Sequence, residues 1–384
     1  VAGLLWGSRL GVQFSLSLIT LKALPVLILG GFTSIPGAII GGLIIGAGAS
    51  LASPAIVTRA HSQAPVVTLK LHHFLPPVAN GHAKMLAPWA KKVEADSQGK
   101  IKIEIFPSMQ LGGTPPQLYD QVRDGVVDIV WTLPGSTPGR FPTTEVMELP
   151  FIVASRGIVN AKAAQELADA HIKDEVKDIK LLSFWAHDAG HIHANKPVKT
   201  MDDLKGLKLR NPTRLAGEAL KALGATSIGM PVPQVPESLA QKVIDGAVVP
   251  WEVVPAIKVH ELVKFHTEIP GTPTLYVASF FLAMNKAKFE SMPADLRAIM
   301  DKESGQAFAT IAGNMWDEAG AGVYEMVKKR GNTITTISVE EKAKWVKACE
   351  PVTAKWIEDM KAKNIDGAKL IEAAKALVAK YDKA

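Results

Sequence analysis

A single cysteine, Cys349, stands among 384 residues, so no internal disulfide can brace the chain. It sits in a Lys-rich helical stretch with no nearby histidine, and reads as a half-buried structural thiol rather than a nucleophile. Catalytic signatures are missing as well: there is no Gly-x-Ser-x-Gly elbow, no Walker loop and no His-Glu-x-x-His pair. No cofactor is expected. Acidic residues are absent from positions 1–64, where the only charges are Arg9, Lys22 and Arg59. Setting those three aside leaves 40 of the 43 basic residues against 37 acidic ones. The sequence pI of 9.1 therefore gives little support to nucleic-acid binding, and the aromatics do not interleave with Lys/Arg runs as a stacking platform requires. After residue 64 there is no internal repeat and no low-complexity tract.

What is present begins with that first segment. Between Lys22 and Arg59 lie 36 uncharged residues, enough to cross a bilayer at about 20 residues per span. Its glycines, with Pro25 and Pro36, favour packing through small residues over one smooth helix. Ser62-Gln63-Ala64 offers small residues of the kind a signal peptidase reads, although the segment is longer than the roughly 7–15 apolar residues of a secretory signal. The run from Lys22-Ala23-Leu24-Pro25 to Ile39-Ile40-Gly41-Gly42 resembles a membrane segment of branched-chain amino acid ABC permeases. Ala49-Ser50-Leu51-Ala52-Ser53-Pro54-Ala55-Ile56-Val57 resembles the tail of an export signal. Residues 1–64 are therefore expected to be a spliced or mis-joined leader. It is either cleaved near Ala64 or kept as a membrane anchor through residues 15–57. A buried hairpin is less favoured because no amphipathic period is visible.

From residue 66 onward strands alternate with helices. Strands are expected at 66–74, 101–106, 127–132 and 179–186, with helices at 81–97 and 115–124. A second block opens near Gly190. It has extended segments at 192–194, 207–210, 226–228, 247–251, 267–270 and 276–284, and helices at 214–223 and 235–243. A helical tail follows: 293–316, 317–330, 339–363 with a break at Pro351, and 367–382, with a short strand at 333–338. This order argues for parallel sheets with right-handed crossovers. The fold class is α/β, a two-domain clamshell of the periplasmic-binding-protein type, with crossing hinge strands and a helical C-terminus behind the apolar N-terminal segment. The lobes are expected at 65–187 with 276–315, and at 188–275 with 316–384. Ligands of open α/β sheets sit at the carboxyl ends of strands, so strand ends are the candidate sites.

Arg210 ends one such strand, ahead of Asn211-Pro212, and faces the Asp245–Trp251 strand end. A guanidinium grips two carboxylate oxygens through parallel N–H bonds, where Lys offers a point charge. Phe74, Trp131, Trp185 and Trp251 fall at or near strand ends and would supply an aromatic wall. His73 joins Phe74 as a pocket candidate, and Glu252 could accept a hydrogen bond from a ligand hydroxyl. Each has a plainer reading. Arg210 could pair with a neighbouring acid, and Trp251 could be core. Arg140 is open between a second ligand cation and a loop brace. Glu148 reads as a structural or rim carboxylate. His191 and His193 share a strand face and could hold a metal; with no Cys and few acids nearby, hydrogen-bonding histidines are the stronger reading, and no metal site is expected.

Five stretches decide between readings: Gln110-Leu111-Gly112-Gly113, Gln121–Asp128 (QVRDGVVD), Glu148-Leu149-Pro150-Phe151, Leu204–Pro212 (LKGLKLRNP) and Asp245-Gly246. Their order and spacing resemble the substrate-binding proteins of tripartite ATP-independent periplasmic (TRAP) transporters. The resemblance implies a periplasmic protein that captures a small organic acid and delivers it to membrane permease subunits. It also implies that Arg210 pairs with the carboxylate. Many family members carry a second, upstream Arg where this chain has Gly190-His191-Ile192-His193. That departure argues against a sialic-acid-like substrate and weakens a C4-dicarboxylate. The expected ligand is an apolar or aromatic 2-oxo or 2-hydroxy monocarboxylate. A C4-dicarboxylate, or the amino acid of an ABC-type binding protein, remains an alternative. An enzyme acting on a carboxylic acid is a remoter one and would need a base beside Arg210, for which His191 is the one candidate.

Overall fold

The computed structural model describes residues 67–383. The leader reading, with its cleavage point and its anchor at 15–57, lies outside the described residues. In chain order the first strands are β1 (Val67–His72), β2 (Ile101–Phe106), β3 (Ile129–Thr132), β4 (Ile179–Ala186) and β5 (Gly190–Ala194). They are followed by β6 (Lys208–Asn211), β7 (Thr226–Gly229), β8 (Gly246–Pro250), β9 (Phe265–Glu268), β10 (Ser279–Asn285) and β11 (Thr333–Thr336). Two sheets result, ordered β2-β1-β3-β10-β4 and β11-β9-β5-β8-β6-β7.

The sheets are mixed rather than parallel. β1 runs parallel to β2 and β3, but β10 is antiparallel to β3 and β4. In the second sheet β5 is antiparallel to both β8 and β9, while β6 is parallel to β7 and β8. The reversals follow from the crossings. β4 passes through His187-Asp188-Ala189 almost directly into β5, and the chain returns through Tyr276-Val277-Ala278 into β10. His187 N–H donates to Ala278 O at 3.3 Å, and Gly190 N–H to Tyr276 O at 3.2 Å. Two antiparallel runs thus tie the sheets side by side, the crossing strands expected of a clamshell. β10 (SFFLAMN) is buried along six of its seven residues, as suits a strand covered on both faces.

Helix Gly157–His171 is missing from the sequence reading. Its first turn is capped from afar, since Asp317 accepts from Gly157 N at 2.5 Å and Ile158 N at 3.1 Å. Packing against helix Gln306–Lys329 needs a glycine, because a Cβ on Gly313 would lie 2.5 Å from Ile158 Cα. The expected break between 316 and 317 falls instead at Glu303–Gly305. There Gly305 takes a φ of +57°, open to glycine without steric cost, and donates to Leu182 O at 2.6 Å. The break expected at Pro351 does not occur, and helix Val339–Lys361 runs through it. Pro351 and Lys347, whose carbonyl loses its intrahelical partner, are both exposed. Cys349 is buried rather than half-buried, its thiol pushed up to about 12 by that burial. No helix among the described residues is long and apolar enough to cross a membrane.

Candidate functional site

Strand chemistry places Arg210. β6 pairs with β8 through Leu209↔Gly246 and Arg210↔Ala247, and Pro212, lacking an N–H, cannot extend the ladder. Asn211 pins the strand end: its amide donates to Thr213 O at 2.8 Å and accepts from Ser227 Oγ at 2.7 Å. The Arg210 side chain is buried, with 3% of its surface exposed. Its Nε donates to Met230 O at 2.9 Å and its Nη1 to Val248 O at 3.2 Å. Both acceptors are neutral, and no salt bridge among the described residues includes Arg210. A guanidinium has five N–H donors, so most of its capacity is unspent. Burial lowers its pKa to about 10, which leaves it charged at neutral pH.

Arg210 opens into a cavity lined from both sheets, concave and mostly apolar in the manner of small-molecule sites. The walls are chiefly apolar, with five aromatic rings among them. Phe280 stacks on Trp316 (centroids 5.4 Å, 24° between planes), and Trp131 lies 5.7 Å from Phe280 and 5.1 Å from Phe74. Four polar side chains besides Arg210 reach the lining: Tyr276, His187, Glu252 and Ser136. The Tyr276 hydroxyl is buried and has no hydrogen-bond partner among the described residues. Burial raises its pKa far above the usual phenol value, the Arg210 charge acting against that shift. Gly190 makes room for this ring, since a Cβ there would lie 2.0 Å from Tyr276 Cε1.

His187 is not a free acid or base. Its Nε2 accepts from Ala278 N–H at 2.8 Å, so Nδ1 carries the proton and donates to Asp188 O. Burial holds its pKa down at about 4. Glu252, 2% exposed, accepts from Gly81 N–H at 3.2 Å, and burial raises its carboxyl to about 7.

Of the residues singled out in the sequence, Arg210, Phe74, Trp131 and Glu252 line the cavity and the rest do not. His73 stands behind Phe74, accepting from Leu75 N–H at 3.2 Å and facing His82 at 2.9 Å. Trp185 lies under the wall, stacked on Phe280 at 5.5 Å. Trp251 donates to Glu268 at 2.9 Å and packs on His191, His193 and His266. Arg140 is a loop brace: it pairs with Asp120 at 2.8 Å and covers the Tyr119 ring at 4.1 Å. Glu148 is buried, not at the rim, and accepts from Ser279 N and Oγ at 3.0 and 2.6 Å.

Of the two strand histidines, His193 joins a closed relay rather than a metal site, while His191 Nδ1 is buried with no hydrogen-bond partner among the described residues. Asn332 Nδ2 donates to His266 Nε2 at 2.9 Å, and the two Nδ1 atoms of His266 and His193 lie 2.7 Å apart. His193 Nε2 then donates to Val249 O at 3.1 Å. With Nε2 of His266 accepting, one tautomer satisfies every link. No group of three potential metal ligands occurs among the described residues. Tyr276, His187, Phe280 and Trp316 escaped the sequence reading. His187 directly follows the expected strand 179–186 and was open to the strand-end rule, whereas Tyr276 opens the expected strand 276–284 at its amino end and Trp316 sits mid-helix with no local signal.

A two-sheet clamshell with a cavity between its sheets, and a guanidinium there that pairs with no acid among the described residues, has the form of a solute-binding receptor. Residues 72–359 match the family described as bacterial extracellular solute-binding protein, family 7, and the chain belongs to that family; it is a TRAP solute-binding protein. Among similar solved structures is a marine metagenome TRAP solute-binding protein specific for aromatic acid ligands, in complex with 3-hydroxybenzoate. It is 46% identical with a TM-score of 0.81, covering 83% of this chain and 100% of that one. A TRAP solute-binding protein of Rhodoferax ferrireducens T118, in complex with copurified benzoate, is 43% identical with a TM-score of 0.80. That match covers 82% of this chain and 98% of the other. The C4-dicarboxylate-binding periplasmic protein of Rhodobacter capsulatus is 27% identical over 302 residues, 77% of this chain and 86% of that one. Proteins of this family bind small organic acids outside the cytoplasm and work with membrane permease subunits; theirs is a transport role, not an enzymatic one.

Proposed function

We propose that this chain captures an aromatic monocarboxylate and presents it to its permease. The observation that carries the reading is the charged Arg210 side chain, buried without an acidic partner, opening into an aromatic-walled cavity. The ligand carboxylate takes the free guanidinium N–H groups and the Tyr276 hydroxyl, while Trp131, Phe280 and Trp316 sandwich its ring. Offset and edge contacts between such rings add about 0.5–1.5 kcal/mol beyond the area they bury. The relatives that bind benzoate and 3-hydroxybenzoate, at 43 and 46% identity, support this class over the simpler 2-oxo and 2-hydroxy acids.

A C4-dicarboxylate fits less well. Its second carboxylate would meet no further cation in the lining, since His187 stays neutral, and it would face Glu252. The sheets mark two lobes that meet at the His187–Ala189 and Tyr276–Ala278 crossings, and these runs are the hinge about which the cleft closes. The test is native mass spectrometry of the protein as purified, followed by calorimetry with benzoate, 3-hydroxybenzoate, phenylacetate, succinate and phenylalanine. Tight binding confined to the aromatic acids is expected. Preference for succinate, or turnover of a bound acid, would overturn the proposal.

A further inference from the structure

Glu252 is a puzzle that simple anion capture leaves over. A carboxyl buried beside an anion site works against the anion it must admit. No salt bridge among the described residues includes it, and its carboxyl is met by backbone donors, Gly81 N–H at 3.2 Å to Oε1 and the adjoining Asn80 N–H. As a mere link from the end of β8 to Gly81 it could be a glutamine, with no charge to bury. Besides Ser136, whose hydroxyl can also meet a ligand, and the Trp131 and Trp316 Nε1 groups, which can only donate, two polar groups of the lining remain. Tyr276 stands with Arg210, and both ring nitrogens of His187 are occupied.

Position supplies the rest. Arg210 bonds to Val248 O, and Glu252 lies two strand residues and two 3-10 residues further on, so at about 3.3 and about 2.0 Å per residue the backbone between these points spans on the order of 10 Å. A carboxylate, a benzene ring, a hydroxyl and two hydrogen bonds span a comparable length. Phenols donate strongly, and above pH 7, where Glu252 is ionised, a hydrogen bond to its carboxylate is about twice as strong as a neutral one.

Resting on the aromatic-acid reading above, we propose that Glu252 selects ring-hydroxylated aromatic acids, accepting the ligand's phenolic hydroxyl at the end of the cavity away from Arg210. The preferred substrates are then hydroxybenzoates and hydroxyphenylacetates rather than the unsubstituted acids. Glu252 carries this discrimination because a site built to take a hydroxyl leaves its own polar group unpaired when the hydroxyl is missing.

Calorimetry on the full chain, stripped of ligand by unfolding and refolding, tests this with benzoate and 3-hydroxybenzoate on the parent, Glu252→Gln, Glu252→Leu and Ser136→Ala. The parent is expected to favour 3-hydroxybenzoate by about tenfold or more, the scale of one hydrogen bond to a charged group. Glu252→Leu should erase that ratio, Glu252→Gln should reduce it, and Ser136→Ala should keep it. Three results would overturn the assignment: a parent ratio near one with benzoate still bound, a parallel loss of both ligands in the Glu252 variants, or a ratio erased by Ser136→Ala. If the parent binds neither aromatic acid, the underlying reading of the cavity falls instead.

Discussion

Arg210→Met is the most informative single substitution because it should move binding and stability in opposite directions. The parent guanidinium is buried, bonded to two neutral carbonyls and unpaired with any acid. Desolvation, which lowers its pKa to about 10, therefore weighs on the ligand-free protein and is relieved when a carboxylate arrives. Truncating one partner of a buried, hydrogen-bonded charge pair costs about 2–5 kcal/mol. At about 1.4 kcal/mol per tenfold, the benzoate Kd should rise roughly thirtyfold to a few thousandfold. Methionine keeps most of the stem and removes the buried charge, so the ligand-free Tm should hold steady or rise. Arg210→Lys keeps a charge but not the planar fork, and should fall between the two. Calorimetry gives the affinities, and thermal melts of the stripped protein with and without benzoate give the stabilities. A folded Arg210→Met protein with parental affinity would refute the carboxylate role. A large fall in ligand-free Tm would recast Arg210 as a brace.

Two further outcomes test the site and the interior around it. Tyr276→Phe removes a buried hydroxyl that has no hydrogen-bond partner among the described residues. It should weaken benzoate about 10- to 100-fold, the range of a hydrogen bond to a charged group, without lowering the ligand-free Tm; unchanged affinity would take Tyr276 out of the site. The second outcome concerns pH. Burial holds His73 and His191 at about 3 and His187 and His266 at about 4, below an unfolded value near 6.5. Their stabilisation is complete above pH 6.5 and is lost as pH falls toward 4. Glu148 and Glu252, raised to about 7, act the other way: their advantage is full below the unfolded value near 4.5 and is lost as pH rises to about 7. The histidines outnumber these carboxyls, so the unfolded chain binds more protons between pH 4.5 and 6.5. The Tm should peak near pH 6.5–7 and fall on acidification to 5; a Tm that climbs over that interval would contradict the buried, neutral histidines.

Much of the frame was legible in one dimension because it depends on neighbours in sequence. The periods of β1, β4, β10 and the C-terminal helices are local, and so is the Arg210-Asn211-Pro212 strand end. Helix Gly157–His171 escaped that reading because its first turn is capped by Asp317, some 160 residues away in sequence. The strand directions escaped it too. Hydrophobic alternation looks the same in parallel and antiparallel ladders, and only the double crossing at His187–Ala189 and Tyr276–Ala278 reverses β5 and β10.

The candidate site divides in the same way. Residue type and strand-end position marked Arg210 as a candidate anion ligand, since no other side chain offers a permanent charge with a forked donor set. Type alone also marked eight tryptophans as large apolar bodies without saying which of them would face a ligand. That depended on packing. Trp131 and Trp316 reached the cavity, Trp185 went beneath its wall, and Trp251 went to the histidine relay in the second sheet. Whether Arg210 met an acid or an open space was likewise a matter of what distant segments brought beside it, because Coulomb energy depends on separation in space and on burial, neither of which is written in the order of residues.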